Sequence, residues 1–98
     1  MLARIEYLGG YPVSIQSATA QDLTRRIWKL LEASETKQAV ELCRELNRIH
    51  PDYADGWHVA SQVADRARLP GKSLEFIQRA LDFDADNSGY LMQHATLL

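Results

Sequence analysis

The sequence predicts an all-α protein of antiparallel helix hairpins stacked into an α-solenoid, with about five helices after an irregular N-terminal segment. Three observations support this prediction. From residue 20 onward, apolar residues recur at three- and four-residue spacing, which is typical of amphipathic helices. Polar or proline-containing breaks divide this region into pieces of helical length. The order of helices and breaks repeats after 34 residues, as in helical repeat proteins.

The composition fits one small domain. The 98 residues are 46% hydrophobic and 24% charged, and the net charge of −2 provides no basic field for nucleic acid. No apolar run approaches the ~20 residues of a membrane span, and the first residues lack the layout of a signal peptide. We therefore expect a cytoplasmic protein without nucleic-acid or membrane partners. The single cysteine, Cys43, excludes an internal disulfide and reads as a small core residue.

Residues 1–19 differ from the rest of the chain. They contain the pair Gly9-Gly10 and Pro12 between short apolar runs, a pattern that indicates a β-hairpin. An isolated hairpin is only marginally stable, so it would have to pack against another element. A short helix over residues 2–8 and an extension without regular structure remain equally open.

The first two helices have clear boundaries. Thr19-Ala20-Gln21-Asp22 resembles a capping box, with Asp in place of Glu. The first helix then carries one apolar face: Leu23, Ile27, Leu30 and Leu31. A polar break at residues 34–36 separates it from the second helix, whose apolar positions are Ala39, Leu42, Cys43, Leu46 and Ile49. Pro51 ends the second helix, because a residue before proline disfavours the α conformation.

Three further helices follow the same logic. The third carries Trp57, Ala60, Ala64 and Ala67, and it ends at the breaker Leu69-Pro70-Gly71. The fourth carries Leu74, Ile77, Ala80, Leu81 and Phe83. A polar turn over residues 84–87 precedes the fifth helix, for which Ser88 is the expected N-cap.

A shift of 34 residues aligns helix with helix and break with break. Aligned positions match in size and polarity rather than identity: Ala20 with Ala54 and Ser88, Leu23 with Trp57 and Leu91, Cys43 with Ile77, and Ile49 with Phe83. The predicted organisation is an extension over residues 1–19, a first repeat over 20–53, a second over 54–87, and the first helix of a third over 88–98.

A 34-residue repeat of two helices resembles the tetratricopeptide repeat. The second repeat has Trp57 at the place of the family's tryptophan and Ala80 at its last alanine, while the first repeat matches at Ala39 and Pro51. Other positions depart from the pattern, including Ala64 for tyrosine, Ala85 for proline and Leu23 for tryptophan. The resemblance implies that small residues let the paired helices approach closely: Ala39, Ser61, Ser73 and Ala80. Larger residues should fill the space between helices: Trp57, Ile77 and Phe83.

In this family the first helix of each repeat lines a concave groove that holds an extended peptide or a partner helix. The resemblance implies that the following residues face this groove: Thr24, Trp28, His58, Gln62, Asp65 and Met92. Trp28 stands out, because large aromatic side chains are common interface anchors. Two alternatives to an anchoring role remain open: Trp28 is covered by residues 1–19, or it packs in the core. A protein or peptide partner is expected, with no cofactor.

One known use of the family is disfavoured. Repeats that bind the C-terminal carboxylate of heat-shock chaperones carry Lys, Asn and Arg at fixed places, and all five matching positions differ: Thr24, Trp28, Val59, Gly89 and Gln93. The histidines show no metal-ligand spacing, and the alternating Asp82, Asp84 and Asp86 lack the rest of a calcium loop. With no phosphate loop and no nucleophile–base arrangement, we expect no catalytic residues and no metal site.

Two alternatives to a peptide-binding scaffold remain open. Bacterial sulfotransferases and sugar transferases can carry such repeats before their catalytic domains, and residues 39–43 with Trp57-His58 resemble those arms. The chain also stops on apolar residues inside the third repeat, where a solenoid needs a polar cap. We therefore expect either an N-terminal fragment of a longer protein or self-association through the exposed C-terminal helix.

Overall fold

The computed structural model describes residues 19–98, and all regular secondary structure in that range is helical. The five predicted helices are present: α1 (Ala20–Glu32), α2 (Thr36–Ile49), α3 (Ala54–Arg66), α4 (Pro70–Phe83) and α5 (Ser88–Leu97). The conformations considered for the N-terminal extension fall outside the described residues, apart from Thr19.

Side-chain caps begin the first and last helices. The Thr19 hydroxyl accepts a hydrogen bond from the Asp22 backbone N–H at 3.0 Å, as the sequence predicts. The prediction that Ser88 caps α5 is wrong by one residue. Asn87 is the N-cap, and its side-chain oxygen accepts from the Tyr90 N–H at 3.1 Å. Asn is as good a cap as Ser, and the Asn87 amide also donates to the Asp84 carboxylate at 3.1 Å, which orients it.

The two turns inside the helix pairs have the same backbone conformation. Ser34 follows α1 with φ 60°, and Arg68 follows α3 with φ 63°. In each turn the next N–H reaches back five residues at 2.8 Å, from Glu35 to Leu30 O and from Leu69 to Ala64 O. This pattern is a Schellman closure, which satisfies carbonyls left open at a helix end. Neither turn uses glycine, so the left-handed residue was not visible in the sequence.

Helix bounds recur after 34 residues. α1, α3 and α5 begin at Ala20, Ala54 and Ser88, and α2 and α4 begin at Thr36 and Pro70. α1 and α3 have 13 residues each, and α2 and α4 have 14 each. Residues 19–98 therefore contain two helix pairs of the same length and turn geometry, followed by a further helix in the same phase.

The core runs through the interior of these pairs, and each helix packs against the next, with a further contact between α1 and α3. Its largest fully buried side chains are Leu23, Ile27, Leu31, Leu46, Ile77 and Val59. The predicted small residues are all fully buried: Ala39, Ser61, Ser73 and Ala80. Ser73 Oγ donates to Ser61 O at 2.8 Å, and the two hydroxyl oxygens lie 3.0 Å apart. The two serines thus satisfy each other where α3 and α4 approach closely.

The large residues that were predicted to fill the space between helices differ in burial. Trp57 is buried beside Phe76 of α4, and its indole N–H donates to Pro51 O at 2.7 Å, which fixes the turn before α3. Ile77 is fully buried. The prediction that Phe83 fills the space between helices is wrong, because its side chain is 52% exposed. Phe83 is the last residue of α4, so no following turn of that helix covers it.

Candidate functional site

The side chains of α1, α3 and α5 meet along one face, which we call the first-helix face. Three aromatic rings cross it, one from each helix. The Trp28 and His58 ring centroids lie 5.9 Å apart in an edge-on arrangement, and the His58 and Tyr90 centroids lie 5.0 Å apart. Both separations are within the range of favourable ring contacts. His58 of α3 is therefore the central ring that joins the other two helices.

Tyr90 anchors α5 to α3. Its side chain is only 4% exposed, and its hydroxyl donates a hydrogen bond to the Asp55 carboxylate. Burial raises the pKa of the Tyr90 hydroxyl above its ordinary value, and the bond to Asp55 raises it further. The phenol therefore stays a neutral donor, which is what a bond to a carboxylate requires.

His58 is half-buried between the two aromatic side chains. Burial lowers the pKa of its imidazole, and the nearby Asp55 carboxylate opposes this shift without cancelling it. The neutral ring is therefore favoured at this position. A neutral imidazole suits a face where rings pack against each other, because it avoids a partly desolvated charge.

Polar side chains also tie the three helices together. The Gln62 amide of α3 donates to the Gln93 side-chain oxygen of α5 at 2.6 Å. The Arg66 guanidinium of α3 donates to Leu31 O, at the end of α1, at 3.1 Å. Leu31 O also accepts from the Ser34 N–H at 3.0 Å, so Arg66 adds a second donor to this carbonyl and ties α3 to the end of α1.

The predicted site residues are distributed unequally. Trp28 and His58 contact each other, and Gln62 lies one turn further along α3, bonded to α5. Thr24 is only 8% exposed, and its hydroxyl donates to Ala20 O at 2.8 Å, so it is committed to its own helix. Asp65 is exposed near the end of α3, and Met92 is 72% exposed on α5. Neither belongs to the aromatic row.

Sequence reasoning missed Tyr90 as a member of this face. The 34-residue shift pairs His58 with Met92, but the ring contact of His58 is with Tyr90, two residues earlier. Helices that cross at an angle contact each other between equivalent positions, so a repeat register alone cannot identify the touching pair. A usable signal was present, because Tyr90 lies three residues after the cap Asn87 and is the only Phe, Trp or Tyr of α5.

Outside the first-helix face, residues 19–98 contain few groups suited to catalysis or metal binding. Burial raises the pKa of the Cys43 thiol to about 12, so the nucleophilic thiolate is scarce at neutral pH. Within the described range, no three His, Cys, Asp or Glu side chains are grouped so that they could hold a metal ion. None of the helices in that range has the length and apolar character needed to cross a membrane.

Comparison of the chain with protein-family models, curated proteins and solved structures finds no match.

Proposed function

We propose that this chain is a non-catalytic protein-binding segment of tetratricopeptide-like repeats, and that its first-helix face holds an extended peptide of a partner protein. The 34-residue recurrence of helix bounds and turn conformations supports the repeat architecture. The alignment of α1, α3 and α5 along one face supports the location of the binding surface, since these are the first helices of the successive repeats.

The observation that carries the proposal is Trp28. Its indole is half-buried and held edge-on by His58, yet part of the ring remains accessible within the described residues. An aromatic side chain that is already ordered loses little entropy when a partner covers it, which is why Trp is frequent among interface anchors. The contacts of His58 with Trp28 and Tyr90 keep the surface ordered before any partner binds.

Two carboxylates near this face support a partner with basic side chains. Asp65 is exposed near the end of α3, and the Asp55 carboxylate lies at its beginning, where it accepts from Tyr90. An apolar side chain for Trp28 and a basic side chain for a carboxylate would be the recognition elements of the peptide. Such a partner uses rim charges for specificity and the aromatic ring for affinity.

The proposal can be tested without knowing the partner. Peptides selected from a random library on the full 98-residue chain would be titrated into ¹⁵N-labelled protein, with backbone amide shifts as the readout. We expect shifts to concentrate on α1, α3 and α5 and to include the Trp28 indole N–H. Peptides that shift only α2 and α4 would contradict the proposal.

Self-association is a second candidate, favoured by the surface of α5. Leu91 is 48% exposed, Met92 72% and Leu98 81%, so this short helix presents several apolar side chains to solvent. Light scattering across protein concentration tests this candidate, with Met92→Glu as the disrupting variant and Leu69→Glu, at an exposed residue outside α5, as the control. A monomer at every concentration would eliminate it.

A further inference from the structure

A cavity opens on the other face of α3, between α2 and α4, and we call it the second-helix cavity. Its volume is about 260 Å³. Its floor comes from α3, where Ala60, Val63 and Ala64 line it, and its walls include Val40 of α2 and Phe76 of α4. None of these residues belongs to the first-helix face, so the cavity is independent of the proposed peptide site.

The cavity exists because its floor is small. Ala60 and Ala64 of α3 and its C-cap Ala67 follow one another along the same side and carry only methyl groups. The space between α2 and α4 above them is therefore left unfilled. The floor is apolar, and the α2 side adds the buried Cys43 thiol and the Asn47 side chain. Such a lining favours an apolar ligand over water.

Two cations stand at the cavity without a strong partner. Arg44 is exposed and forms no ion pair or hydrogen bond within residues 19–98. Lys72 has only a long contact with the exposed Glu75 at 3.6 Å, and its ammonium lies 5.9 Å from the centroid of the Phe76 ring. No Asp or Glu of the described chain is among the lining residues. An apolar floor with positive charge at the rim is complementary to an amphipathic anion.

We propose that the second-helix cavity binds a small amphipathic carboxylate, with its apolar chain against the α3 alanines and its carboxylate between Arg44 and Lys72. At about 30 Å³ for each water-sized group, the volume admits on the order of ten non-hydrogen atoms. That is below the size of typical drug-like ligands and matches a short fatty acid such as octanoate. Arg44 and Lys72 reach the cavity from different helices, so the carboxylate would also link α2 to α4.

The test compares three probes on the full chain by ¹⁵N amide shifts: octanoate, 1-octanol and acetate. Octanoate should bind with a dissociation constant on the order of 1 mM or lower, with shifts at the residues that line the cavity. Octanol lacks the charge and acetate lacks the chain, so each should bind at least about fivefold more weakly. Equal affinity for octanoate and octanol, or no octanoate binding up to about 10 mM, would overturn the proposal.

Variants separate the cavity from general surface binding. Arg44→Gln and Lys72→Gln should each weaken octanoate binding about two- to fivefold, while the control Arg48→Gln, on α2 but outside the cavity, should leave it unchanged. These substitutions are on exposed side chains and should leave the fold intact, which the amide spectrum checks. An equal loss in Arg48→Gln would overturn the proposed carboxylate position.

Cys43 provides a readout that does not depend on substitution. It is the only cysteine and it lines the cavity, so its slow alkylation by iodoacetamide, followed at pH 9 where more thiolate forms, reports access to this one place. Saturating octanoate should slow the alkylation severalfold, whereas octanoate at the same concentration should leave the reaction of free cysteine unchanged. If octanoate did not change the alkylation rate of Cys43, the proposal would also be overturned.

Discussion

The two faces of α3 differ in how completely neighbouring side chains fill the space beside them. On the first-helix face, rings and polar side chains connect α3 to α1 and α5, through contacts such as His58 with Tyr90 and Gln62 with Gln93. On the other face, a row of alanines leaves a cavity between α2 and α4. One face of the same helix is therefore closed by specific contacts, and the other face keeps free volume.

The difference separates a rigid side of α3 from a less constrained one. Directional contacts fix the relative positions of α1, α3 and α5, which the proposed binding surface would require before a partner arrives. Methyl groups make no directional contacts, so the second-helix side has room for a larger side chain or for the proposed ligand. Substitutions on the two sides should consequently differ in sign as well as in size.

The largest effect is expected at Tyr90. Tyr90→Ala removes a buried ring and the bond to Asp55, and it should lower the free energy of unfolding by about 3 kcal/mol or more, measured by urea denaturation. Tyr90→Phe keeps the ring and should cost only about 1 kcal/mol. Since α5 is too short to be stable alone, its amides should exchange with solvent first in Tyr90→Ala. The control Leu91→Ala, at a side chain that is 48% exposed, should change little. An equal loss in both alanine variants would contradict the anchoring role.

The next effect is a dependence of stability on pH. The folded state lowers the pKa of His58, so the unfolded chain binds the proton more tightly. The contribution of His58 to stability is therefore fully present above the unfolded pKa of about 6.5 and is lost progressively as pH falls from there through the lower folded pKa. The slope from one such group cannot exceed about 1.4 kcal/mol per pH unit. His58→Phe should flatten the dependence of the unfolding free energy between pH 5 and 7, as urea titrations at each pH would show. An unchanged slope in that variant would contradict the assignment.

The smallest effect has the opposite sign. Val40→Leu adds a methylene at the wall of the second-helix cavity and should stabilise the fold by about 0.5 kcal/mol, since it fills free volume and leucine is the better helix former. The matched control is Val59→Leu on α3, which is fully buried outside the cavity and should destabilise by about 1–3 kcal/mol through overpacking. A loss of stability in Val40→Leu would indicate that the cavity closes in solution.

The helices were predictable because their signals are local. Apolar spacing, the Thr19 cap and the break before Pro51 act within a few residues, and residues 19–98 contain the five expected helices. The role of Asn87 was missed because neighbouring Asn and Ser both make good caps, and only the surrounding hydrogen bonds decide between them. The exposure of Phe83 was missed because its spacing continues the buried stripe of α4, although the helix ends there.

The candidate site was less predictable, because it depends on contacts between helices. The sequence placed Trp28 and His58 on first helices but could not show that their rings touch or that Tyr90 completes the row. Nor could it show that Thr24 turns its hydroxyl back to Ala20. The second-helix cavity had no sequence signal, since alanines at helical spacing usually indicate close packing rather than empty volume.

The proposed binding role is tested most directly by calorimetry, which compares the affinity of a library-selected peptide for the Trp28→Ala variant with its affinity for the wild-type chain. The control is Phe83→Ala, which removes another partly exposed aromatic side chain away from the first-helix face. We expect Trp28→Ala to weaken binding at least about tenfold, the loss typical of an interface anchor, and Phe83→Ala to leave the affinity unchanged. An affinity that is unaffected by Trp28→Ala and also by His58→Ala would contradict the proposal.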